Sequence, residues 1–429
     1  MFGFANFLLL ALFAAAVFDL IFALARGSGL RGALHGLWNT PHLLFGQQLA
    51  EWRLQLGRIL FAAGLAAYEI SVVFCNSMAR QNWAWVQGVM SPVLEWLAFL
   101  CFGAKILFGT RYTWRELLAG GALYFIARWV YFNSQNIWWI GIVMAVLAAK
   151  DVPLRRPLQV YFASGCAAMA VVLALHFAGI VAPDLTSERM GALRGTYGYG
   201  HPNTFGGLVF GLVLAYALLR AQKVRWVDCL LVFAVGVFLL VGPASRSAAL
   251  CTLALAVGLV FCRLRAGHSV PRWWPGTCAG MVGLTAAVSY LLPLLVIKVG
   301  PWNNDIGPAW LAKLDSLLTC RISLTWMAYR LLDVKIAGQV FNWPTVDNSF
   351  AFALFQFGPV VAALLGILFA AALWGHAKQG RRVEVCCLFA MLAYAYMEVQ
   401  PFHLTTNPTA LLLCGAVFAQ TSARWQKIE

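Results

Sequence analysis

The stretch that decides the fold is residues 4–25, FANFLLLALFAAAVFDLIFALA, in which Asp19 is the single charged side chain. A helix that crosses a bilayer needs about 20 predominantly apolar residues, and this stretch is long enough. Twelve further apolar stretches follow, some of them shorter, at 58–77, 88–108, 116–132, 136–149, 157–181, 204–219, 227–243, 247–262, 277–298, 349–373, 384–398 and 408–421. The sequence therefore predicts an all-α polytopic membrane protein with about 12–14 transmembrane helices, forming a single transmembrane domain over residues 1–429.

The composition excludes most other classes of protein. Apolar residues make up 62% and charged residues 11% of the 429-residue chain, against about 45–50% and about 25% in soluble proteins. A soluble enzyme and a disordered chain are therefore excluded. The 11 cysteines lie scattered in apolar stretches without a C-x-x-C pair, which is typical of small buried hydrophobic residues and not of a disulfide scaffold. The seven histidines lack metal-binding spacing, so we expect neither a metal nor a cofactor.

The net charge of +15 comes mainly from short loops between the apolar stretches. Alternate loops carry 21 of the 31 lysines and arginines, and such an excess marks the cytoplasmic side of a membrane protein. We therefore expect membrane anchoring and no nucleic-acid partner. The opposite loops are then external, and residues 299–348 form the longest of them. Four tryptophans and helical apolar spacing over Ser316–Asp333 predict packed helices in this loop, and loops of such length are usually functional or disordered.

A glycine-rich external segment reads RGTYGYGHPNTFG at residues 194–206. Its glycines allow turns that other residues resist, and Pro202 suits the first position of a helix. A helix that begins near His201–Asn203 would offer free N–H groups to an anion. The alternative is a plain glycine-rich turn that leads into the next span.

Two further external segments carry arginine at the predicted membrane surface. Arg246 lies in GPASRS (242–247), a tight apolar hairpin where a charge is costly unless it is paired, hydrated or extended to the headgroups. Arg321 lies in the long external loop, and Asp347 lies in VDNSF (346–350) at its end. Asp347 could cap the following helix, or it could act in catalysis. Arginine stays charged and binds diphosphate bidentately, so Arg194, Arg246 and Arg321 together would suit a lipid-linked diphosphate.

Taken in order, these segments resemble the O-antigen ligase / Wzy polymerase superfamily of bacterial polysaccharide assembly, over about residues 190–400. Nearest is the Wzy-type polymerase of O-antigen, capsular and exopolysaccharide systems. The motifs that carry the resemblance are Arg194, Gly-His-Pro-Asn (200–203), Ser-Arg-Ser (245–247), Arg-Ile-Ser-Leu-Thr-Trp (321–326), and Val-Asp-Asn-Ser-Phe (346–350) followed by Phe357-Gly358. The resemblance implies a GT-C-like helical fold in the bacterial cytoplasmic (inner) membrane, with a periplasmic active site to which loop 299–348 contributes.

The activity implied by the resemblance is a metal-independent, inverting glycosyl transfer that polymerises oligosaccharide repeat units carried on undecaprenyl diphosphate. The catalytic residues expected from it are Asp347, Arg246, Arg321 and His201. The substrate-binding residues expected from it are Arg194, Asn203, Tyr199, Asn348 and Ser245. Guanidinium groups would stabilise the leaving diphosphate, and Asp347, or else His201, would accept the proton of the attacking hydroxyl. Expected partners are undecaprenyl-diphosphate-linked oligosaccharides, the lipid bilayer, and a chain-length regulator and flippase of the same pathway.

Two other functions stay open at this point. A ligase that transfers finished glycan to another acceptor would share the arginines, but ligases of the superfamily typically carry histidine where Asp347 stands. The glycine-rich stretch that the family has before this position is reduced here to Ile-Ala-Gly-Gln (336–339). A lipid-linked oligosaccharide flippase, which is not an enzyme, would favour charges along several spans, an internal repeat and short outer loops. The sequence instead gathers its informative charges at one predicted surface.

Overall fold

The structure is a computed structural model that describes residues 2–27, 29–45, 50–181, 187–189, 192–296 and 307–418. Within these ranges the chain is mostly α-helical, and its four short strands form two two-stranded antiparallel sheets. The chain divides into two compact units. Unit 1 comprises Met1–Arg128, Ile140–Thr204 and Ala410–Glu429, and unit 2 comprises Trp129–Trp139 and Phe205–Thr409. Whether both belong to one transmembrane domain, as the sequence predicts, stays a prediction.

Unit 1 contains the first half of the helices, and α6, α7 and α9 have residues in both units. Its helices are α1 (Phe2–Ala25), α2 (Leu30–Asn39), α3 (Ala50–Cys75), α4 (Ala79–Asn82), α5 (Ser91–Phe108), α6 (Trp114–Ser134), α7 (Ile137–Ala148) and α8 (Arg155–Phe177). A π-helical turn, Val86–Met90, precedes α5. Strands β1 (His42–Leu43) and β2 (Arg111–Tyr112) pair with each other, as do β3 (Ser187–Arg189) and β4 (Ala192–Arg194).

Unit 2 contains the helices that follow the glycine-rich segment. These are α9 (Pro202–Leu219), α10 (Trp226–Val241), α11 (Arg246–Leu264), α12 (Trp274–Leu291), α13 (Ala309–Leu317), α14 (Arg321–Leu331), α15 (Ser349–Phe352), α16 (Pro359–Lys378) and α17 (Arg382–Met397). Short 3-10 turns lie at Leu292–Leu295 and Gln400–Phe402, and a π-helical turn lies at Ala353–Phe357. A 3-10 turn, Pro408–Leu413, leads to α18 (Cys414–Val417) in unit 1.

The helices confirm an all-α polytopic membrane protein. In the part of the chain that the structure describes, eight helices are long and apolar enough to cross a membrane, and three shorter apolar helices accompany them. Most of the 13 predicted spans coincide with an α-helix, but 349–373 is divided, and the described part of 408–421 is mainly the 3-10 turn Pro408–Leu413 and the four-residue α18. The number of 12–14 transmembrane helices stays a prediction beyond the eight. Large apolar side chains such as Leu230 and Val241 are exposed on α10, as expected of helices solvated by lipid.

Small residues let helices of the same unit approach closely, as is common in membrane proteins. In unit 1, Gly57 of α3 faces Gly109 at the end of α5, and a Cβ built on Gly57 would lie 2.8 Å from the Gly109 Cα. In unit 2, a Cβ on Gly236 of α10 would lie 2.7 Å from the Leu253 side chain of α11. The first contact brings the backbone of α3 directly against Gly109, and the second lets the Leu253 side chain of α11 pack directly on the backbone of α10.

The predicted span 349–373 is wrong as a single helix. The chain forms α15 and a π-helical turn, then breaks at Gly358 and begins again as α16 at Pro359. Gly358 has φ +89°, a conformation that other residues resist, and a Cβ there would overlap the carbonyl oxygen of Ile336. Apolar composition continues through this break, so hydropathy could not reveal it.

The long loop 299–348 contains packed helices, as predicted, within its described residues 307–348. Ser316–Asp333 is not one helix, however, because Thr319 and Cys320 adopt left-handed conformations between α13 and α14. Val296, Leu311 and Ile322 form a small buried core that joins these two helices to the end of α12. The residues at 299–306 lie outside the described ranges.

Candidate active site

Arg321 is the centre of an ion-pair network in unit 2. It is the first residue of α14, and its side chain is buried, with 8% exposed. Its Nη2 donates to Glu398 Oε1 at 2.6 Å, its Nη1 donates to the Leu318 carbonyl at 3.2 Å, and its Nε lies 3.6 Å from Asp347 Oδ2. One guanidinium group is thus shared between two carboxylates of different exposure.

Asp315 of α13 holds the start of α14 in place. Its Oδ1 accepts from the backbone N–H groups of Ile322 at 2.7 Å and Ser323 at 3.2 Å, and its Oδ2 accepts from Ser323 Oγ at 2.7 Å. A carboxylate in this position satisfies N–H groups that the first helical turn leaves open, and it complements the helix dipole. The backbone at Arg321 is therefore anchored independently of its guanidinium group.

Asn348, and not Asp347, caps α15. The Asn348 Oδ1 accepts from the backbone N–H groups of Phe350 at 2.9 Å and Ala351 at 3.1 Å. Its Nδ2 donates to Ser289 Oγ and to the Tyr396 carbonyl, both at 3.1 Å. The cap hypothesis for Asp347 is therefore wrong. The buried Asn348 amide caps the helix, and its predicted substrate-binding role stays a prediction. The Asp347 carboxylate lies beside Arg321.

Glu398 was not among the predicted site residues. Its side chain is 6% exposed and pairs with Arg321, and its carbonyl accepts from Ser349 Oγ at 2.5 Å. It therefore joins the end of α17 to the starts of α14 and α15. The available sequence signal was only an acidic residue at the end of an apolar stretch, on the predicted external side. Pairing it with a residue 77 positions away requires the fold.

Ser245 and Arg246 lie at the tight turn between α10 and α11, as predicted. Arg246 is exposed, and among the described residues it has no ion-pair partner. Ser245 is buried, and its Oγ has no hydrogen-bond partner in the described part of the chain. Ser245 packs so closely on α9 that a Cβ on Gly206 would overlap its Oγ. The turn thus presents a cation beside the open N–H groups of the first turn of α11.

Arg194, Asn203 and His201 come together in unit 1. Arg194 is buried at the end of β4, and its Nη2 donates to Asn203 Oδ1 at 2.9 Å. The helix α9 begins at Pro202, which confirms the predicted helix start. The exposed His201 accepts the Asn203 N–H on its Nδ1 at 3.1 Å. A neutral ring in this tautomer carries its proton on Nε2, so His201 is arranged as a hydrogen-bond donor at that atom, and its role as a base stays a prediction.

Tyr199 has a different environment from the one expected of a substrate-binding residue. It is fully buried in unit 1, where its backbone forms an antiparallel bridge with Ser77. Burial raises the pKa of the Tyr199 phenol well above its usual value. The adjacent Gly198, at φ +81°, accepts a backbone hydrogen bond from Met78. Tyr199 therefore helps dock the glycine-rich segment on the turn after α3.

His403 is the other histidine of the predicted external side near these elements. Its ring lies against Trp138 in unit 2, with ring centroids 3.7 Å apart and the ring planes tilted by 41°. Burial lowers the pKa of His403 to about 3, so the ring is neutral at physiological pH. It therefore cannot supply a positive charge for an anionic substrate.

The structure thus divides the predicted site residues between the two units. Arg321, Asp347 and Asn348 lie together in unit 2, and Ser245 and Arg246 lie at another turn of that unit. Arg194, Tyr199, His201 and Asn203 lie in unit 1. Among the described residues, no three histidine, cysteine, aspartate or glutamate side chains are grouped so that they could hold a metal ion. No protein-family model, curated protein or solved structure matches this chain.

Proposed function

We propose that this protein is a Wzy-type polymerase. It extends a glycan by transferring the growing chain from one undecaprenyl diphosphate carrier to the sugar of a new repeat unit, at the outer face of the bacterial cytoplasmic membrane. The observation that carries the proposal is the Arg321–Asp347–Glu398 network, because it puts a cation for a diphosphate beside a partly exposed carboxylate. The ordered motifs around it and the membrane-spanning helices support the same activity.

Each residue has a role that follows from its chemistry. The donor sugar is activated by its diphosphate, which needs stabilisation of negative charge as the bond to the sugar breaks. Arg321 and the exposed Arg246 supply that charge, so the reaction proceeds without a metal. Asp347 accepts the proton of the attacking hydroxyl. A single displacement of this kind inverts the configuration at the anomeric carbon.

The test is reconstitution of the full-length protein in liposomes with repeat units linked to undecaprenyl diphosphate. Replacing either arginine, in Arg246→Ala or Arg321→Ala, should lower turnover at least about 100-fold. Asp347→Asn should lower it about 10²–10⁴-fold. The matched control is Arg330→Ala, because Arg330 is an exposed arginine of α14 that stacks on Trp326. Turnover that survives a chelator but not these three substitutions would support the proposal, and full turnover in both arginine variants would refute it.

Deleting the gene in its native host separates the proposal from its alternatives. Single repeat units that accumulate on carriers at the outer face would indicate the loss of a polymerase. Long chains retained on the carrier would indicate a ligase instead. Single units trapped at the inner face would indicate a flippase, and either result would overturn the proposal.

A further inference from the structure

The two carboxylates that share Arg321 hold it very differently. The Glu398 contact is short, at 2.6 Å, and both side chains in it are buried, 8% and 6% exposed. The Asp347 contact is long, at 3.6 Å, and the Asp347 side chain is 30% exposed. A charge-assisted hydrogen bond is strong at the first distance, whereas the second lies beyond the usual range of a hydrogen bond. The contact with Asp347 is therefore the one that an incoming anion can replace.

The anchors around Arg321 and Asp347 allow this exchange without moving the helices. Asp315 holds the first turn of α14, and Glu398 holds the guanidinium group. Asn348 caps α15 by itself, so the helix start does not depend on the Asp347 side chain. The Asp347 carboxylate can consequently turn away from Arg321 while the backbone on both sides stays in place.

We propose that the diphosphate of the donor displaces Asp347 from Arg321, so that donor binding makes Asp347 available as the base, with Glu398 as the positioning residue that keeps Arg321 in place. This inference rests on the proposed function. It adds a preferred order to the reaction, because the Asp347 carboxylate is released from Arg321 only after the donor has bound. Arg321 then has two consecutive tasks, first restraining the base and later stabilising the leaving group.

The chemical step balances with these groups alone. The acceptor hydroxyl oxygen forms a bond to the anomeric carbon, and its proton goes to the Asp347 carboxylate. The bond between the anomeric carbon and the diphosphate oxygen breaks, and its electron pair stays on the diphosphate. Arg321 faces that developing charge while Glu398 keeps the guanidinium group in position.

Binding of inorganic diphosphate to the full-length protein in lipid nanodiscs tests the exchange by calorimetry. Asp347→Asn removes the competing carboxylate and should tighten binding up to about fivefold. Glu398→Gln is the matched variant, since it removes the same charge from the same guanidinium group. It should not tighten binding, because Arg321 loses its anchor. Equal tightening in both variants would mean that only net charge matters, and it would overturn the inference.

A second measurement needs no variant and so does not depend on the folding of Glu398→Gln. Carbodiimide labelling of wild-type Asp347, read by mass spectrometry, should increase severalfold when inorganic diphosphate is bound. Unchanged or lower labelling, in protein that binds diphosphate, would overturn the inference and leave the proposed function standing. If wild-type protein binds no diphosphate, the diphosphate role of the proposed function fails, and the inference fails with it.

Discussion

The strongest energetic prediction concerns the unequal coupling of Arg321 to its two carboxylates. Two unit charges about 4 Å apart interact by about 4 kcal/mol at an effective dielectric constant near 20. Removing one partner of a buried pair typically costs about 3–5 kcal/mol, because the other charge stays buried without compensation. We therefore expect Glu398→Gln to lower the free energy of unfolding by about 3 kcal/mol, since Asp347 still compensates part of the Arg321 charge.

The Asp347 contact should behave as a partly exposed pair. Ion pairs that water screens contribute about 0–1 kcal/mol, and the Asp347 side chain is 30% exposed at a distance of 3.6 Å. Asp347→Asn should therefore lower the free energy of unfolding by less than about 1 kcal/mol. Both substitutions remove one carboxylate charge beside the same arginine. The larger loss of unfolding free energy expected for Glu398→Gln therefore comes from the burial and the shorter distance of its ion pair.

Double-mutant cycles measure both couplings, with Arg321→Met as the common second substitution. The assay is the free energy of unfolding of the full-length protein in detergent micelles at neutral pH, followed by steric trapping. Arg330→Ala on the exposed side of α14 sets the scale of an ordinary surface change, about 0.5 kcal/mol. A coupling of Arg321 to Asp347 as large as its coupling to Glu398 would refute the reasoning.

Three further predictions concern packing, capping and pH. Gly207→Ala should destabilise the protein by about 1–3 kcal/mol, because the new Cβ would displace the Gln400 amide oxygen, which accepts a hydrogen bond from the Tyr394 hydroxyl; thermal unfolding measures this. Asn348→Ala should cost about 0.5–2 kcal/mol through the lost helix cap, measured in the same way. Burial lowers the pKa of His42, but the ion pair with Asp19, 3.5 Å away, and the hydrogen bond to the Thr40 carbonyl together outweigh this effect, so the net shift is upward. The stabilisation is therefore fully present below about pH 6.5 and is lost as the pH rises through the higher pKa of the folded state.

Each of these three predictions has a matched control. Gly283→Ala adds a methyl group to a helical glycine with open space around it, so it should be neutral or slightly stabilising. Asn348→Ser keeps an acceptor at the cap and should retain most of the stability. His42→Gln should flatten the pH dependence above about pH 6.5. The packing prediction is contradicted if Gly207→Ala lowers the stability no more than Gly283→Ala does. The pH prediction is contradicted if the stability of His42→Gln depends on pH as that of the wild type does.

The membrane class and most of the helices could be predicted because they depend on local properties. An apolar run such as residues 4–25 has only one stable arrangement in lipid, since a helix satisfies its own backbone groups. The break at Gly358 could not be predicted, because it depends on the close approach of the Ile336 carbonyl and not on the hydropathy of residues 349–373. The left-handed residues at 319 and 320 are missed for the same reason, since apolar spacing continues through them.

The candidate site could be predicted in part. Sequence motifs pointed to Arg321 and Asp347, and the structure puts their side chains together. They did not predict that the acidic partner with the shorter contact would be Glu398, because a salt bridge across 77 residues has no local signature. The motifs also could not show which of the neighbouring residues Asp347 and Asn348 caps α15. That depends on which side chain reaches the first turn of the helix.

That division of tasks between Asp347 and Asn348 has a consequence for how this site can evolve. The helix start is secured by the amide at position 348, so the cap of α15 does not depend on the side chain at position 347. Substitutions at 347 can therefore change the proton-accepting group while the surrounding fold is retained. Substitutions at 348 lose a helix cap and two interhelical hydrogen bonds at once. Substitutions at position 347 should therefore lower the stability less than substitutions at position 348. A library of variants at 347 should yield mostly folded proteins.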